Sequence, residues 1–349
     1  MPWSPHARTR PARRRSRLAA AVLLTGALAA GCGAIDAAGE AAGAGGAEEG
    51  AWTYQDARAG EISLPARPER IVAHASAAAA LIPLGITPVG IYGDTPMEEN
   101  PALEGYDLTG VTSVGEVWGE VSVEGIAELD PDLFVTGYFP LEEQLGGFEA
   151  DDDARVQAIE SQVPIASVEM GQAASATIDD FVALAESLGA DLDAPRVAEA
   201  RAAYQAAVAE FQEVVADRPE LSVVATSAND QYYYVAHPPA FPELQDYQEW
   251  GLDLVGPDPE SLEDPGYFGY VSHELIDEYP ADIIYYDGRD FATSAEELDE
   301  SQPAWRSLAA VENDQVVTWY TDTFTSWERY AEYLTTLTDA LRDADDLVP

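Results

Sequence analysis

The chain has 349 residues, enough for two modest domains, and 47% of them are hydrophobic, so each half can build a core. Its 64 acidic residues outnumber 17 basic ones, all of them Arg, and the formal net charge is −47. Such a surface repels nucleic acid and anionic lipid, which excludes nucleic acid as a partner. The acidity either favours cationic ligands or only keeps the protein soluble, and composition does not decide between the two.

The first 31 residues are typical of a targeting segment. A basic stretch over 8–17 precedes an apolar run over 18–30, which is too short to span a bilayer comfortably. Small residues then lead to Cys32, the only Cys of the chain, in a pattern that resembles a bacterial lipobox with Ala29 in place of the usual Leu. This pattern predicts a lipoprotein signal peptide over 1–31 and a lipid anchor on Cys32. The alternative is a plain signal peptide and a free thiol.

Residues 32–52 are rich in Ala, Gly and Glu and show no apolar period, which predicts a flexible tether. No second apolar run is long enough for a transmembrane helix, and a single Cys cannot form an internal disulfide. The folded part is therefore expected to begin near residue 53.

Strands and helices then alternate, which predicts a mainly parallel sheet in an N-terminal α/β lobe over 53–192. After a hairpin over 52–64, strands are predicted at 70–73, 86–92, 111–114, 133–136 and 163–168. Helices are predicted at 76–85, 123–129, 157–160 and 177–188.

The longest helical signal covers residues 193–218. Ala, Arg, Glu and Gln dominate it, and apolar residues recur at three- and four-residue steps. Asp193 is the predicted N-cap, and Pro219 ends the helix. A helix of about 22 residues would be roughly 33 Å long, at about 1.5 Å per residue. That length is sufficient to bridge two lobes.

The alternation restarts after Pro219 and predicts a C-terminal α/β lobe over 219–349. Its predicted strands are 221–227, 232–236, 252–255, 281–286 and 315–319. Its predicted helices are 242–250, 272–279, 305–309 and 326–341. Both halves contain a short predicted helix that begins at a Glu (Glu124, Glu274), then Pro and Asp, then a buried strand, which suggests related lobes.

Five motifs carry a family resemblance: PARPERIV (65–72), LGITPVGIY (84–92), VSVEGIAELDPDLFVTGY (121–138), VSHELIDEYPADIIYYDG (271–288) and PAWRSLAAVENDQVVTW (303–319). Their order and spacing resemble the bacterial solute-binding proteins that feed ATP-driven importers of ferric siderophores, cobalamin and haem. The resemblance implies an α/β fold of two Rossmann-like lobes joined by one long rigid helix, with a ligand cleft between them. It also implies a binding protein without catalytic activity or cofactor, whose ligand is an iron–siderophore complex.

Ligands of open α/β sheets lie at the carboxyl ends of the strands, so residues that follow predicted strands are candidate ligand contacts. Most of them are aromatic, which suits a large organic ligand, although ordinary core packing is the alternative for each ring. The candidates are His74, Trp118, Tyr138, His237, Arg289, Tyr320, Phe324 and Trp327.

The resemblance adds roles to three positions. Tyr138 resembles the Tyr whose hydroxyl meets the metal-bound hydroxamate in ferrichrome-binding relatives, and Phe268 falls near a Trp that packs on the ligand. Trp118 stands where those relatives carry a ligand-binding Arg. Losing that cation disfavours a strongly anionic catecholate complex, so a neutral or cationic hydroxamate complex is preferred, with Arg289 as one remaining cation.

The resemblance also implies that Glu124 and Glu274 dock onto Arg residues of the importer permease, one from each lobe; solvated helix faces are the alternative. The expected partners are a ferric siderophore, the permease and, through Cys32, the membrane, and a monomer is expected. Haem or cobalamin are alternative ligands of the same fold. A surface sensor or a hydrolase is the alternative class, but the sequence has neither Gly-x-Ser-x-Gly nor His-Glu-x-x-His.

Three His residues (His74, His237, His273) raise the further possibility of direct zinc or iron binding. No two of them have the local spacing of metal ligands. Hydrogen-bonded or surface His residues are the simpler interpretation, and no metal site is predicted.

Overall fold

The computed structural model describes residues 51–148, 153–262, 266–289, 292–321 and 324–348. The predicted signal peptide, Cys32 and nearly all of the predicted tether lie outside the described residues. The described residues form one compact unit. Within the described ranges, no helix is both long and apolar enough to cross a membrane.

The predicted hairpin is present and is anchored to the N-terminal sheet. Strands β1 (Trp52–Asp56) and β2 (Gly60–Leu64) pair antiparallel across a tight turn. The buried carboxylate of Asp56 accepts a hydrogen bond from Ser167 Oγ at 2.7 Å. Because a buried carboxylate is costly unless it is hydrogen-bonded, this contact fixes the hairpin against the sheet.

The N-terminal lobe is built on a sheet whose strands are parallel except for one. Its strands are β3 (Ile71–His74), β4 (Gly90–Tyr92), β5 (Thr112–Gly115), β6 (Leu133–Phe139), β7 (Gln144–Leu145) and β8 (Ile165–Glu169). The order is β5-β4-β3-β6-β7, with β8 also paired to β6, and only β7 is antiparallel to its partner. The carboxyl ends of the parallel strands therefore meet at one edge of the sheet. The strand predicted over 86–92 shrinks to β4, since Pro88 has no N–H to donate to the ladder.

The helices of this lobe are α1 (Ala75–Leu81), α2 (Val123–Leu129), α3 (Ala154–Glu160) and α4 (Ala174–Ser187). The bounds of α2 coincide with the prediction, because Ser122 caps it by accepting a hydrogen bond from Gly125 N at 3.0 Å. Helix α4 begins three residues before its predicted start.

The long helix α5 (Pro195–Asp217) contacts both lobes. Near its start, Val197 borders a small cavity together with Phe181 of the N-terminal lobe. Near its end, the Phe211 ring lies 5.1 Å from that of Tyr247 in the C-terminal lobe. The predicted Asp193 cap is wrong: the N-cap residue is Ala194, which has no side chain to cap the helix.

The C-terminal lobe has a mixed sheet. Its strands are β9 (Ser222–Ala228), β10 (Tyr233–Ala236), β11 (Asp253–Val255), β12 (Phe268–Val271), β13 (Ile283–Asp287) and β14 (Val316–Trp319). The order is β12-β10-β9-β13-β14, and β11 also pairs with β9. Strand β10 is antiparallel to β9 and to β12. The short link 229–232 permits only a hairpin, because a parallel connection needs a longer crossover.

The helices of this lobe are α6 (Pro242–Glu249), α7 (Ala295–Ser301), α8 (Pro303–Arg306), α9 (Ala309–Glu312) and α10 (Trp327–Asp343). The helix predicted over 272–279 is wrong, because only a single 3₁₀ turn forms there, at Ile276–Glu278. The helix predicted over 305–309 is two short helices, α8 and α9. Helix α7 was not predicted, although Ser294 and Glu297 form a capping box at its start.

The two lobes share one hydrophobic core and are joined by buried polar contacts, which we call the lobe junction. Asp246 on α6 accepts hydrogen bonds from Ser175 N at 2.7 Å and Ser175 Oγ at 2.6 Å, at the start of α4. It also accepts one from Tyr330 Oη at 2.8 Å. Thr325 Oγ1 donates to the Ser76 carbonyl at 2.8 Å. Asp246 of the C-terminal lobe thus caps helix α4 of the N-terminal lobe. The N-cap residue of α4, Ala173, has no polar side chain that could do so.

Candidate ligand-binding site

Two of the predicted contacts lie at neighbouring strand ends in the N-terminal lobe. His74 is the last residue of β3 and the N-cap of α1; its Nδ1 accepts from Ser76 N at 3.4 Å and lies 2.8 Å from Ser76 Oγ. Tyr138 is next to last in β6, which pairs with β3, and its side chain is half-buried. The shared edge of the parallel strands accounts for their proximity.

The hairpin formed by β6 and β7, extended by Gly146 and Gly147 after β7, brings Trp118 to the same place. Gly119 N donates to the Gly147 carbonyl at 3.2 Å, so the loop that carries half-buried Trp118 rests on this hairpin. Gly147 has a φ of +80°, and a Cβ there would lie 2.6 Å from a Tyr92 ring atom, so only Gly fits. A Cβ at Gly146 would lie 3.6 Å from His74 Nδ1. The hairpin is a feature that the sequence analysis did not single out.

Tyr92 supports this group from below. Its ring packs edge-on against the His74 ring, with the two ring centroids 5.1 Å apart. Its hydroxyl lies 2.9 Å from both Thr136 Oγ1 and the Gly146 carbonyl oxygen. Burial raises the pKa of Tyr92, since the phenolate would lose its hydration. Tyr92 is therefore a neutral structural residue that holds His74 and the hairpin in place.

Arg289 and Tyr320 lie at the carboxyl ends of β13 and β14, which are neighbours in the second sheet. Gly288 N donates to the Trp319 carbonyl at 2.9 Å, which fixes the two strand ends side by side. The Arg289 guanidinium is paired with Asp287, with Nε 2.9 Å from Oδ1 and an Nη 2.7 Å from Oδ2. Because the Asp287 carboxylate is buried, the expected cation of the site is largely neutralised by the protein itself.

His237 is not at that edge. The strand-end rule applies to parallel strands, but β10 runs against β9, so its carboxyl end points toward the start of β9. His237 instead lies beside Phe268, because Ala236 pairs with Phe268 and His237 N donates to the Tyr267 carbonyl at 2.8 Å. Partial burial lowers the pKa of His237, which favours a neutral imidazole.

Phe324 and Trp327 are core residues, which corrects their prediction as ligand contacts. Phe324 is 1% exposed and packs edge-on against Tyr330 at 6.4 Å. Trp327 is 7% exposed, and the Arg201 guanidinium lies over its ring at 5.9 Å. Both follow the last strand in sequence, but the start of α10 turns them into the interior.

Both docking candidates are exposed, but in different settings. Glu124 lies in the first turn of α2, as predicted. Glu274 lies in a turn before the short 3₁₀ segment, so its prediction as a helix-opening residue is wrong. Their local backbone is therefore not equivalent in the two lobes.

The second sheet carries a set of aromatic rings that the sequence analysis mostly missed, and which we call the aromatic row. Neighbouring ring centroids along it lie 4.8 to 5.8 Å apart. Its members, in spatial order from the interior outward, are Trp319, Phe241, Phe268, Tyr234, Tyr270 and Tyr232. The available signal was the spacing of two residues between Tyr232 and Tyr234 and between Phe268 and Tyr270, which places each pair on one face of a strand.

Tyr267, which packs on the aromatic row, forms a hydrogen bond to the N-terminal lobe. Tyr267 Oη donates to Glu142 Oε2 at 2.6 Å, and the Tyr267 ring packs on Phe241 at 5.5 Å. Glu142 follows β6 a few residues after Tyr138. The inner part of the row therefore lies at the boundary with the segment that follows β6.

Two concavities of the described residues lie apart from the aromatic row. One, of about 290 Å³, borders α1, α4, α5 and α10, and among the predicted contacts only Trp327 lines it. Another, of about 620 Å³ and open to solvent, lies beside the loop from Ser113 to Ser122. In the described part of the chain, no three His, Cys, Asp or Glu side chains cluster closely enough to hold a metal ion.

Residues 71–323 match the sequence model of the family described as periplasmic binding protein. The chain belongs to this family. Its members bind solutes outside the cytoplasm, so the protein is a binding protein and not an enzyme, as predicted. Searches against curated proteins gave no sequence match.

Solved structures agree with the fold. The ferric-siderophore receptor protein DesE of Streptomyces coelicolor is 27% identical, covers 85% of this chain and 100% of its own, and superposes with a TM-score of 0.77. Staphylococcus aureus SirA, complexed with staphyloferrin B, is 18% identical over 84% of this chain and 99% of its own, with a TM-score of 0.61. FhuD2 of the same species, with bound ferrioxamine B, is 18% identical over 78% and 98%, with a TM-score of 0.53. The predicted two-lobed α/β fold is confirmed.

Proposed function

We propose that this protein binds a ferric siderophore of the hydroxamate type, neutral or positively charged, and delivers it to an ABC importer. The observation that carries the proposal is the lobe boundary where Tyr267, beside the aromatic row, bonds to Glu142, which follows the strand that holds Tyr138, while Asp287 neutralises Arg289. The DesE, SirA and FhuD2 structures support a siderophore as the class of ligand.

Electrostatics supports the choice among siderophores. A strongly anionic complex needs cations to offset its lost hydration, and an unpaired buried charge is costly. The guanidinium of Arg289 already forms two hydrogen bonds to a buried carboxylate. The formal charge of −47 adds a long-range repulsion of anions. A neutral or cationic complex meets neither obstacle.

In this proposal Tyr138 places its hydroxyl against the metal-bound oxygens, and Phe268 packs on the organic shell. His74, Trp118, His237 and Tyr320 complete the contact surface. Arg289 contacts the ligand as a guanidinium already paired with Asp287, and not as a free positive charge. The iron belongs to the ligand, so the protein itself needs no metal ligands.

The direct test is quenching of intrinsic fluorescence of the purified full chain by ferrioxamine B, ferrichrome, ferric enterobactin, haem and cobalamin. We expect tight binding of one or both hydroxamate complexes and weaker binding of ferric enterobactin. Binding of haem or cobalamin alone would show that the fold is right and the ligand class wrong. Preference for ferric enterobactin would contradict the electrostatic argument.

Delivery rests on Cys32, proposed as the lipid anchor, and on Glu124 and Glu274, proposed as the permease contacts. We expect the double variant Glu124→Arg/Glu274→Arg to bind ligand normally but to abolish uptake by cells. The matched control is Glu213→Arg/Glu300→Arg, which reverses two exposed charges on other surfaces. Normal uptake by the first variant, or equal loss in both, would remove the docking role. Cys32→Ser should release the protein from the membrane.

A further inference from the structure

The outer half of the aromatic row remains accessible although its inner half is buried. Trp319 is 0% exposed, whereas Tyr232 is 44% exposed, and Phe268, Tyr234 and Tyr270 between them are half-buried. The row therefore leads from the lobe boundary to solvent along one face of β10 and β12.

This face is distinct from the core face of the same strands. Tyr233, Val235 and Val271 alternate with the row residues and are buried against the helices on the other side of the sheet. The ordinary role for the outer rings is cross-strand stabilisation, since Tyr234 lies directly opposite Tyr270 in the register. That role alone predicts an effect on stability and none on ligand choice.

The electrostatic surroundings of the outer rings favour a cation. The faces of aromatic rings carry negative potential and attract ammonium groups within about 6 Å. Asp230 is exposed in the turn that leads into Tyr232, and Glu142 lies at the inner end of the row through its bond to Tyr267. Among the described residues, a cation–ring contact of the protein itself, Arg201 over Trp327, lies outside the row.

We propose that Tyr232 and Tyr270 form a subsite for a cationic arm of the ligand, whose iron centre lies nearer Tyr138. This inference rests on the proposed function and narrows it: the preferred ligand is a ferric hydroxamate with a pendant protonated amine. The two ring centroids lie 5.8 Å apart, so one ammonium group can lie within about 6 Å of both rings. Continuity of the row with Phe268 connects this subsite to the rest of the site.

The test compares ferrioxamine B, which has a free ammonium group, with its N-acetylated form, which is otherwise the same but lacks that charge. Dissociation constants are measured with the full chain by fluorescence quenching. We expect the wild-type protein to prefer the charged form by about two- to fivefold. Tyr232→Leu should reduce this preference to nearly one, whereas Tyr232→Phe, which keeps the ring, should retain it.

Each possible result of this comparison supports or overturns the proposed cation subsite. Binding of both forms with equal affinity overturns the subsite and leaves the proposed function intact. Binding of neither overturns the subsite, and it overturns the proposed function as well if ferrichrome also fails to bind. A charge preference that persists in folded Tyr232→Leu assigns the selectivity to another part of the protein and also overturns the subsite. The wild-type comparison needs no variant, so it decides even if Tyr232→Leu does not fold.

Discussion

The lobe junction and the candidate site differ in how their polar groups are held. At the junction, the 1% exposed carboxylate of Asp246 accepts three hydrogen bonds from groups on two other helices. At the site, Tyr138 and Phe268 are half-buried, and Tyr267 makes a hydrogen bond across the lobes to Glu142. Separating the buried groups of the junction would leave them unsatisfied, which costs far more than exposing the rings of the site. We therefore expect stability to depend on the junction and ligand recognition on the candidate site.

The largest expected effect concerns helix α5, which contacts both lobes beside the junction. Ala206 is exposed in the middle of this helix, so Ala206→Pro breaks the helix without removing a core side chain. We expect a loss of about 3 kcal/mol or more in the free energy of unfolding. Urea unfolding monitored by circular dichroism measures this loss.

The control is Ala206→Gly, which should cost only about 1 kcal/mol, because Gly keeps its N–H. If Ala206→Pro remains folded and also binds the siderophore with unchanged affinity, then the spacing that α5 imposes on the lobes does not matter for recognition.

The next effect tests the junction directly. Asp246→Ala leaves Ser175 N and the Tyr330 hydroxyl buried without their acceptor, so we expect a loss of about 2–3 kcal/mol in the free energy of unfolding. Asp246→Asn keeps one acceptor oxygen and should lose less. A siderophore affinity that falls as much as the stability in either folded variant would contradict the division between junction and site.

Local signals explain what the sequence predicted well. The hairpin over 52–64, the helix α2 and the long helix α5 each depend on turn residues, caps or an apolar stripe within one short segment. Strand orientation is not local: β10 pairs with β9 in an antiparallel register, so the strand-end rule failed at His237. The turn that holds Glu274 also lacked a decisive local signal.

The placement of the candidate residues was predictable where the sheet is parallel. His74 and Tyr138 follow from strand ends that share one edge, whereas Phe324 and Trp327 were wrong because the start of α10 turns inward. Asp246 could not have been distinguished from the other acidic residues of a chain that has 64 of them. Its role arises from the packing of α6 against α4, which no single segment encodes.

A smaller effect is expected at the site. Tyr138→Ala should weaken siderophore binding several-fold, which corresponds to about 1 kcal/mol, because it removes one ring contact and one hydroxyl. Its stability should change little compared with Asp246→Ala, since the side chain is half-buried. Tyr138→Phe separates the two contributions: recovery of affinity assigns the effect to the ring, and no recovery assigns it to the hydroxyl. Unchanged affinity in Tyr138→Ala would remove this residue from the site.

The smallest effect is a pH dependence that originates at the junction. Burial, the largest cause, raises the pKa of Asp246 above its ordinary value of 3.8, against the opposing hydrogen bonds from Ser175 and Tyr330. Between 3.8 and the raised pKa, the folded protein therefore binds more protons than the unfolded chain at this group. The stability contributed by this group is then present in full below 3.8 and is lost as the pH rises through the folded pKa.

This dependence can be isolated by measuring urea unfolding of the wild-type protein and of Asp246→Asn at a series of pH values. Other carboxylates titrate in both proteins and cancel in the difference. We expect the stability of the wild type relative to the variant to increase as the pH falls from neutral, and to level off below about 3.8. A relative stability that instead decreases with falling pH would show that the three hydrogen bonds outweigh burial. Asp246 would then stabilise the junction in its ionised form, and acid would weaken the junction rather than strengthen it.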